Sequence, residues 1–185
     1  AFAFYIQRAG FKNYTGVDGS QEQVSEAKRL KIKNIILNDL IEYLDKLEDG
    51  ALDMLIGIDI IEHFTKEELI DLVDKFYRVM KRDGIIITHQ PNASGPFGSQ
   101  MRYSDFTHEL AFTSQSISQL FLSSGFANIK SYEDKPIVHG IKSGIRLFLW
   151  SYLVKPIYKF LLIVEWGGID KNTILTQNFL TVIRK

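Results

Sequence analysis

Residues 14–30 read "YTGVDGSQEQVSEAKRL", and the order of residue types in this stretch decides the fold. An extended segment through Val17 ends in an acid, Asp18, followed by Gly19 and Ser20. Ser20 and Gln23 have the spacing of a capping box, and Val24, Ala27 and Leu30 share one helical face. A strand that stops at a carboxylate and turns straight into a capped helix is half of a strand–helix–strand unit. At the end of such a strand a carboxylate can accept from two vicinal hydroxyls of a ligand. The bland alternative is an acid stabilised by the dipole of the helix behind it. Both readings fit one position, and the strand–acid–glycine context favours binding.

Outward from this stretch the pattern alternates. Residues 2–9 read as a helix tail stopped by Gly10. Residues 13–18 are a strand, "NIILND" (34–39) is a second, and "LIEYLDKL" (40–47) is a short helix closed before Gly50. "LDMLIGIDI" (52–60) is nearly uninterrupted by polar residues, as a parallel strand covered on both faces would be. Thr65 and Glu68 form another capping box, and Leu69, Leu72, Val73, Phe76 and Met80 line one side of the helix that follows. "GIIITHQPN" (84–92) is the next strand. This is a doubly wound α/β pattern with right-handed crossovers. Residues 91–109, "PNASGPFGSQMRYSDFTHE", form a polar loop long enough to be functional. A helix to Gly125, a strand over 126–134, an apolar helical stretch over 141–166 and a final strand within 173–185 complete the single expected domain, 1–185.

Composition narrows the class. The 185 residues suffice for one domain with a core, 45% are hydrophobic, and 22 basic residues balance 22 acidic ones. Balanced charge argues against a nucleic-acid partner, which requires a basic face. With no cysteine, disulfides, thiolate metal sites and cysteine nucleophiles are excluded. The N-terminal "AFAFYIQRAGF" has neither the length nor the basic leader of a signal peptide.

"GVDGS" (16–20), "NIILNDLIEYL" (34–44), "LDMLIGIDIIEHF" (52–64) and "YRVMKRDGIIITHQPN" (77–92), in this order and spacing, resemble class I S-adenosylmethionine-dependent methyltransferases of the small-molecule branch. The resemblance covers 1–136 and 172–185. It implies a Rossmann-like, mostly parallel sheet whose last strand inserts antiparallel beside the fifth. It implies S-adenosylmethionine as cofactor, held by Asp18, Gly19 and Ser20 at the ribose, by Asp39 and Leu40 at the adenine, and by Asp59 beside the sulfonium. In that family a glycine-rich loop joins a first strand to a first helix, and this sequence begins inside the helix. The expectation is therefore an N-terminally truncated chain, whose sheet falls into two halves with open inner edges. "RYSDFTHELAFT" (102–113), "YEDKPIVHGIKSGIR" (132–146) and "ILTQNFL" (174–180) are similar to methyltransferases of bacterial surface-polysaccharide clusters. That similarity implies a small-molecule or glycan hydroxyl as acceptor. The alternatives are a quinone-pathway O-methyltransferase, since "EH" after the fourth strand occurs there too, and a non-catalytic interaction module lacking the cofactor loop.

Four histidines frame the chemistry. Asp59, Glu62 and His63 stand at i, i+3 and i+4 and share a face if the chain turns helical after the strand. A divalent metal is one reading of that trio, but nothing else in the sequence marks a metal site, and none is expected. In the loop, Asp105 is expected to orient the imidazole of His108, which then takes a hydroxyl proton; His63 is the rival base. Arg102, Tyr103 and His89 are candidate acceptor-binding residues, and His139 is expected to be structural. The 92–108 loop and the 141–166 insertion are expected to build the acceptor site together, with the insertion kinked at Pro156. The insertion is read as two amphipathic segments that pack on the protein's own domain, cover the active site as a lid, pair with a second subunit, or lie on a membrane surface. A cytoplasmic location, with or without membrane association, follows from this reading.

Overall fold

The caps and apolar faces written into the sequence produce the expected order of elements. The computed structural model describes residues 2–170 and 173–185. Ala1, Lys171 and Asn172, which belong to the expected 1–185 domain, lie outside the described residues. After α1 (Phe2–Arg8), β1 (Gly16–Asp18) leads into α2 (Gln21–Arg29), where Ser20 accepts from the Gln23 N–H at 3.3 Å. β2 (Ile35–Leu37) leads into α3 (Leu40–Asp45), capped by Asp39, and β3 (Leu52–Ile58) leads through a 3₁₀ turn (Ile61–His63) into α4 (Lys66–Val79). α4 carries the full capping box: Thr65 accepts from the Glu68 N–H, and the Glu68 carboxylate accepts from the Thr65 N–H at 2.9 Å. β4 (Met80–Pro91) starts earlier than expected, because Met80 already pairs with Leu52.

The second half contains α5 (Gly98–Tyr103), α6 (Ser114–Ser123), β5 (Ala127–Glu133), α7 (Ile141–Leu149), α8 (Lys155–Trp166) and β6 (Asn178–Arg184). β3 and β4 are parallel, and β6 inserts antiparallel between β4 and β5, giving the order β3-β4-β6-β5. β1 and β2 form a separate parallel pair. Among the described residues no strand joins the β1-β2 pair to β3, so the sheet is in two parts, as the sequence led us to expect. β1 and β2 are also shorter than their apolar runs, each being paired on one side only.

The core belongs to the larger sheet. Leu69, Leu72, Val73 and Phe76 of α4, Ile117 and Phe121 of α6, Ile86 of β4 and Phe179 and Ile183 of β6 are all buried in one cluster. Each such side chain removed from water contributes about 1.5–3 kcal/mol. The 91–109 loop is pinned to this core. Asn92 is buried, donating to the carbonyls of Ile174 at 3.0 Å and Thr176 at 2.8 Å, and its Oδ1 accepts from the Ser94 N–H. A Cβ on Gly98 would lie 2.5 Å from the Ala93 carbonyl oxygen, so only glycine permits the turn into α5.

The 141–166 insertion differs from its expectation. It is one helix of 26 residues, not two separate amphipathic segments, and a π-helical turn (Trp150–Val154) joins α7 to α8. The widened turn lies just ahead of Pro156, which has no N–H to give the helix ladder, so the helix continues where a kink was expected. None of its residues is buried. Packing of its apolar side on this domain's own core is thus not found. Lys155 ties it to β5 through Glu133 at 2.5 Å.

Candidate active site

Every strand-end acid expected from the sequence stands at the C-terminal end of its strand, where ligands bind in open α/β sheets. Asp18 closes β1, half-buried, with Oδ1 accepting from the Ser20 N–H at 2.9 Å. Gly19 lies in open space, with nothing within 4 Å of a would-be Cβ. Asp39 follows β2 and accepts from the Glu42 N–H at 3.0 Å as the cap of α3, whose first residue is Leu40.

Asp59 follows β3 with a positive φ of 49°, a strained conformation for an aspartate. Two bonds to one residue hold it there. Its N–H donates to the His89 carbonyl at 3.0 Å, and its carboxylate accepts from His89 Nδ1 at 2.6 Å. His89 Nε2 lies 3.4 Å from Asp134, beyond β5. The hydrogen bond and charge of Asp59, then those of Asp134, raise the imidazole pKa above its ordinary value, against the opposing effect of burial. Asp59 therefore does not share a face with Glu62 and His63, because the 3₁₀ turn begins after it and its side chain is committed to β4.

Glu62 points inward, fully buried, and neither carboxylate oxygen has a partner from another residue. Burial pushes its pKa up; its own backbone N–H acts in the opposite direction. Its carbonyl accepts from the N–H groups of Glu109 and Leu110, both at 2.9 Å, which clips the end of the polar loop onto the 3₁₀ turn. This clip brings His108 against His63, with ring centroids 4.9 Å apart.

The expected Asp105–His108 pair does not form. Asp105 instead closes a local turn, accepting from the Thr107 N–H at 2.9 Å and the Thr107 hydroxyl at 2.7 Å, bonds that hold its pKa below the usual carboxylate range. Since the Thr107 hydroxyl gives its proton to Asp105, its oxygen accepts from His63 Nδ1 at 3.0 Å. His108 Nδ1 donates to the Met101 carbonyl at 3.1 Å. The network thus assigns the Nδ1–H tautomer to both rings and leaves each Nε2 with its lone pair. Arg102 donates to the His108 carbonyl at 3.2 Å and stacks over Tyr103, so it shapes the loop. Tyr103 is exposed.

The loop and the insertion do meet, but elsewhere. A groove of about 560 Å³ runs between Pro96 and Phe97 of the loop and Ile145, Arg146 and Trp150 of the helix. Tyr103, Asp105 and His108 are not among its walls. His139, expected to be structural, sits in the exposed turn before α7 and bonds the Ile137 carbonyl. Sequence reading missed Thr107 and Asp134. The Asp-x-Thr spacing of 105–107 is a readable turn signal; Asp134 has no comparable mark.

Residues 1–88 match a family model described as a methyltransferase domain. A comparison with the curated proteins finds no match. Among solved structures the chain is similar to an S-adenosylmethionine-dependent methyltransferase from Archaeoglobus fulgidus, with 20% identity and a TM-score of 0.73 over 100% of this chain and 80% of that one. It is similar to one from Mesorhizobium loti at 13% identity and a TM-score of 0.61, over 100% and 85% of the two chains. It is also similar to the plantazolicin methyltransferase BamL, crystallised with a triazolic desmethylPZN analog and SAH, at 13% identity and a TM-score of 0.59 over 100% and 72%.

Proposed function

We propose that this chain is a class I S-adenosylmethionine-dependent methyltransferase and that it methylates a hydroxyl on a sugar or sugar-bearing lipid during surface-polysaccharide synthesis. The residues fit the cofactor. Asp18 offers a half-buried carboxylate beside the open space at Gly19, suited to two ribose hydroxyls. Asp39 offers a second acceptor, suited to the adenine amino group. When bound, S-adenosylmethionine supplies the methyl group, which leaves its sulfonium for the acceptor oxygen.

The chain's own residues position the acceptor and take its proton. The observation that carries this reading is the pair of Nε2 lone pairs on His63 and His108, both fixed by bonds at Nδ1 and set beyond the end of β3. A hydroxyl placed at this pair can lose its proton there as its oxygen bonds to the methyl carbon.

The long helix is consistent with an acceptor bearing a lipid. Lys155 and Lys159 face the domain side, where they border the groove beside Glu133. Phe148, Tyr152, Ile157, Phe160 and Val164 face outward, exposed. A helix with its charges turned to the protein and its apolar face turned out lies well in a lipid interface. We accordingly place the protein in the cytoplasm, in contact with the membrane surface. The test of function is a methyl-transfer assay with labelled cofactor against monosaccharides, oligosaccharides, lipid-linked sugars and catechol-type quinone precursors. Label in a sugar hydroxyl supports the reading; label only in the catechols moves the enzyme to the quinone-pathway alternative.

A further inference from the structure

Glu62 poses a problem that methyl transfer alone does not solve. A buried carboxylate with no partner is expensive, because it loses its water and gains nothing in return. Glu62, His63 and His108 each offer a ligand atom, and these atoms lie within 4.8 Å of one another. The donor assignment decides what they can hold. Both imidazoles spend Nδ1–H on fixed acceptors, Thr107 Oγ1 and the Met101 carbonyl, and this leaves Nε2 as an acceptor on each ring. Metal-ligating histidines show this pattern: an outer hydrogen bond fixes the tautomer and aims the other nitrogen at the ion. The carboxylate of Asp105, behind Thr107, strengthens the one on His63.

We propose that Glu62, His63 and His108 form a binding site for one divalent transition-metal ion, with Zn²⁺ as the reference ion. Two imidazole nitrogens and one carboxylate oxygen suit first-row divalent ions better than Mg²⁺ or Ca²⁺, which take oxygen ligands. Three protein ligands leave at least one coordination position open. Ligand atoms at about 2.0–2.2 Å from a tetrahedral ion stand roughly 3.3 Å apart, so binding draws the three side chains inward by about 1 Å. The sequence alone hid this site. It offered Asp59 as the third member of the trio, whereas the fold gives Asp59 to His89 and supplies His108 from a loop 45 residues further on. With the ion bound both Nε2 lone pairs are engaged, so in the methyl-transfer reading, on which the metal site itself does not rest, the open position would hold the acceptor hydroxyl and make its proton easier to lose to solvent.

The test is calorimetric titration of metal-stripped protein with Zn²⁺ alone, in the absence of cofactor and acceptor. A single equivalent should bind. Glu62→Gln and His108→Ala should each weaken binding by roughly 100-fold or more, while His139→Ala, in the exposed turn before α7, should leave it unchanged. Thermal melts without metal identify a variant that has not folded. Glu62→Gln keeps the residue's size while removing its buried charge, so it remains decisive if His108→Ala is lost. Protein that takes up no Zn²⁺ at micromolar concentration, or whose one site survives Glu62→Gln in folded protein, overturns the proposal. Because no methyl donor is present, the outcome is independent of whether a hydroxyl is the acceptor.

Discussion

The two parts of the sheet solve different problems. In β3-β4-β6-β5 the central strands have neighbours on both edges and helices against them, and Ile86, Thr88, Gln90, Phe179, Thr181 and Ile183 are fully buried. The β1-β2 pair has one ladder, and its residues are half-buried or exposed, with Ile36 at 36% and Leu37 at 47%. The histidine and carboxylate cluster is wired to the thick part through the bonds of Glu62, His63 and His89. Asp18 and Asp39, the acids proposed to hold the cofactor, stand on the thin part, their carboxylates accepting from the N–H groups of Ser20 and Glu42 at the starts of the helices that follow. Burial is thus concentrated in one region, together with the histidines proposed for proton transfer, and the acids proposed for cofactor recognition lie in the other.

This contrast can be broken most readily by stability measurements. Phe121→Ala, in the core of the thick part, should cost about 3–5 kcal/mol in urea unfolding. Ile36→Ala on β2 should cost about 1 kcal/mol, since its side chain is already partly in water. Equal losses would show that the two parts are one cooperative core. Binding comes next. Asp18→Ala removes a charged acceptor and should weaken S-adenosylmethionine binding by about 1.5–3 kcal/mol, read by calorimetry, with little change in folding. On the outer surface, Phe160→Glu should reduce co-sedimentation with anionic vesicles roughly tenfold, since a buried Phe contributes about 1.5–3 kcal/mol. Undiminished vesicle binding, or a dimer that dissociates on this substitution, would assign the apolar face to another partner.

The smallest effect concerns pH. His89 has a folded-state pKa raised above the usual 6.5, first by its hydrogen bond to Asp59. The stability this contributes is fully present below the unfolded value and is lost as pH rises through the folded one. Unfolding free energy should therefore decline from about pH 6.5 upward, and Asp59→Asn should flatten that decline. An NMR titration placing His89 at or below the ordinary imidazole value would remove the Asp59–His89 pair from the account.

Much of the framework was readable from local signals. The Thr65–Glu68 box, the acid at the end of β1 and the unbroken apolar run of β3 each have a local cause, and each element formed where its cause lies. The antiparallel final strand was implied by the family resemblance and not by any local signal. The site was less legible because its contacts are long-range. Asp105 and His108 are close in sequence and polar, yet the Asx turn at Thr107 takes the carboxylate first. Glu62 and His108 come together only because the Glu62 carbonyl receives the backbone of Glu109 and Leu110. Nor does any residue between 141 and 166 announce that its apolar side faces out; that is decided by Lys155 reaching Glu133.

The account turns on the Glu62–His63–His108 cluster being where the acceptor loses its proton. The most direct measurement is methyl-transfer turnover of His108→Ala on a hydroxylated acceptor, alongside cofactor titration of the same variant. We predict turnover lower by about 10²–10⁴-fold with cofactor affinity nearly unchanged. Full turnover in His108→Ala, with cofactor binding intact, would contradict the account.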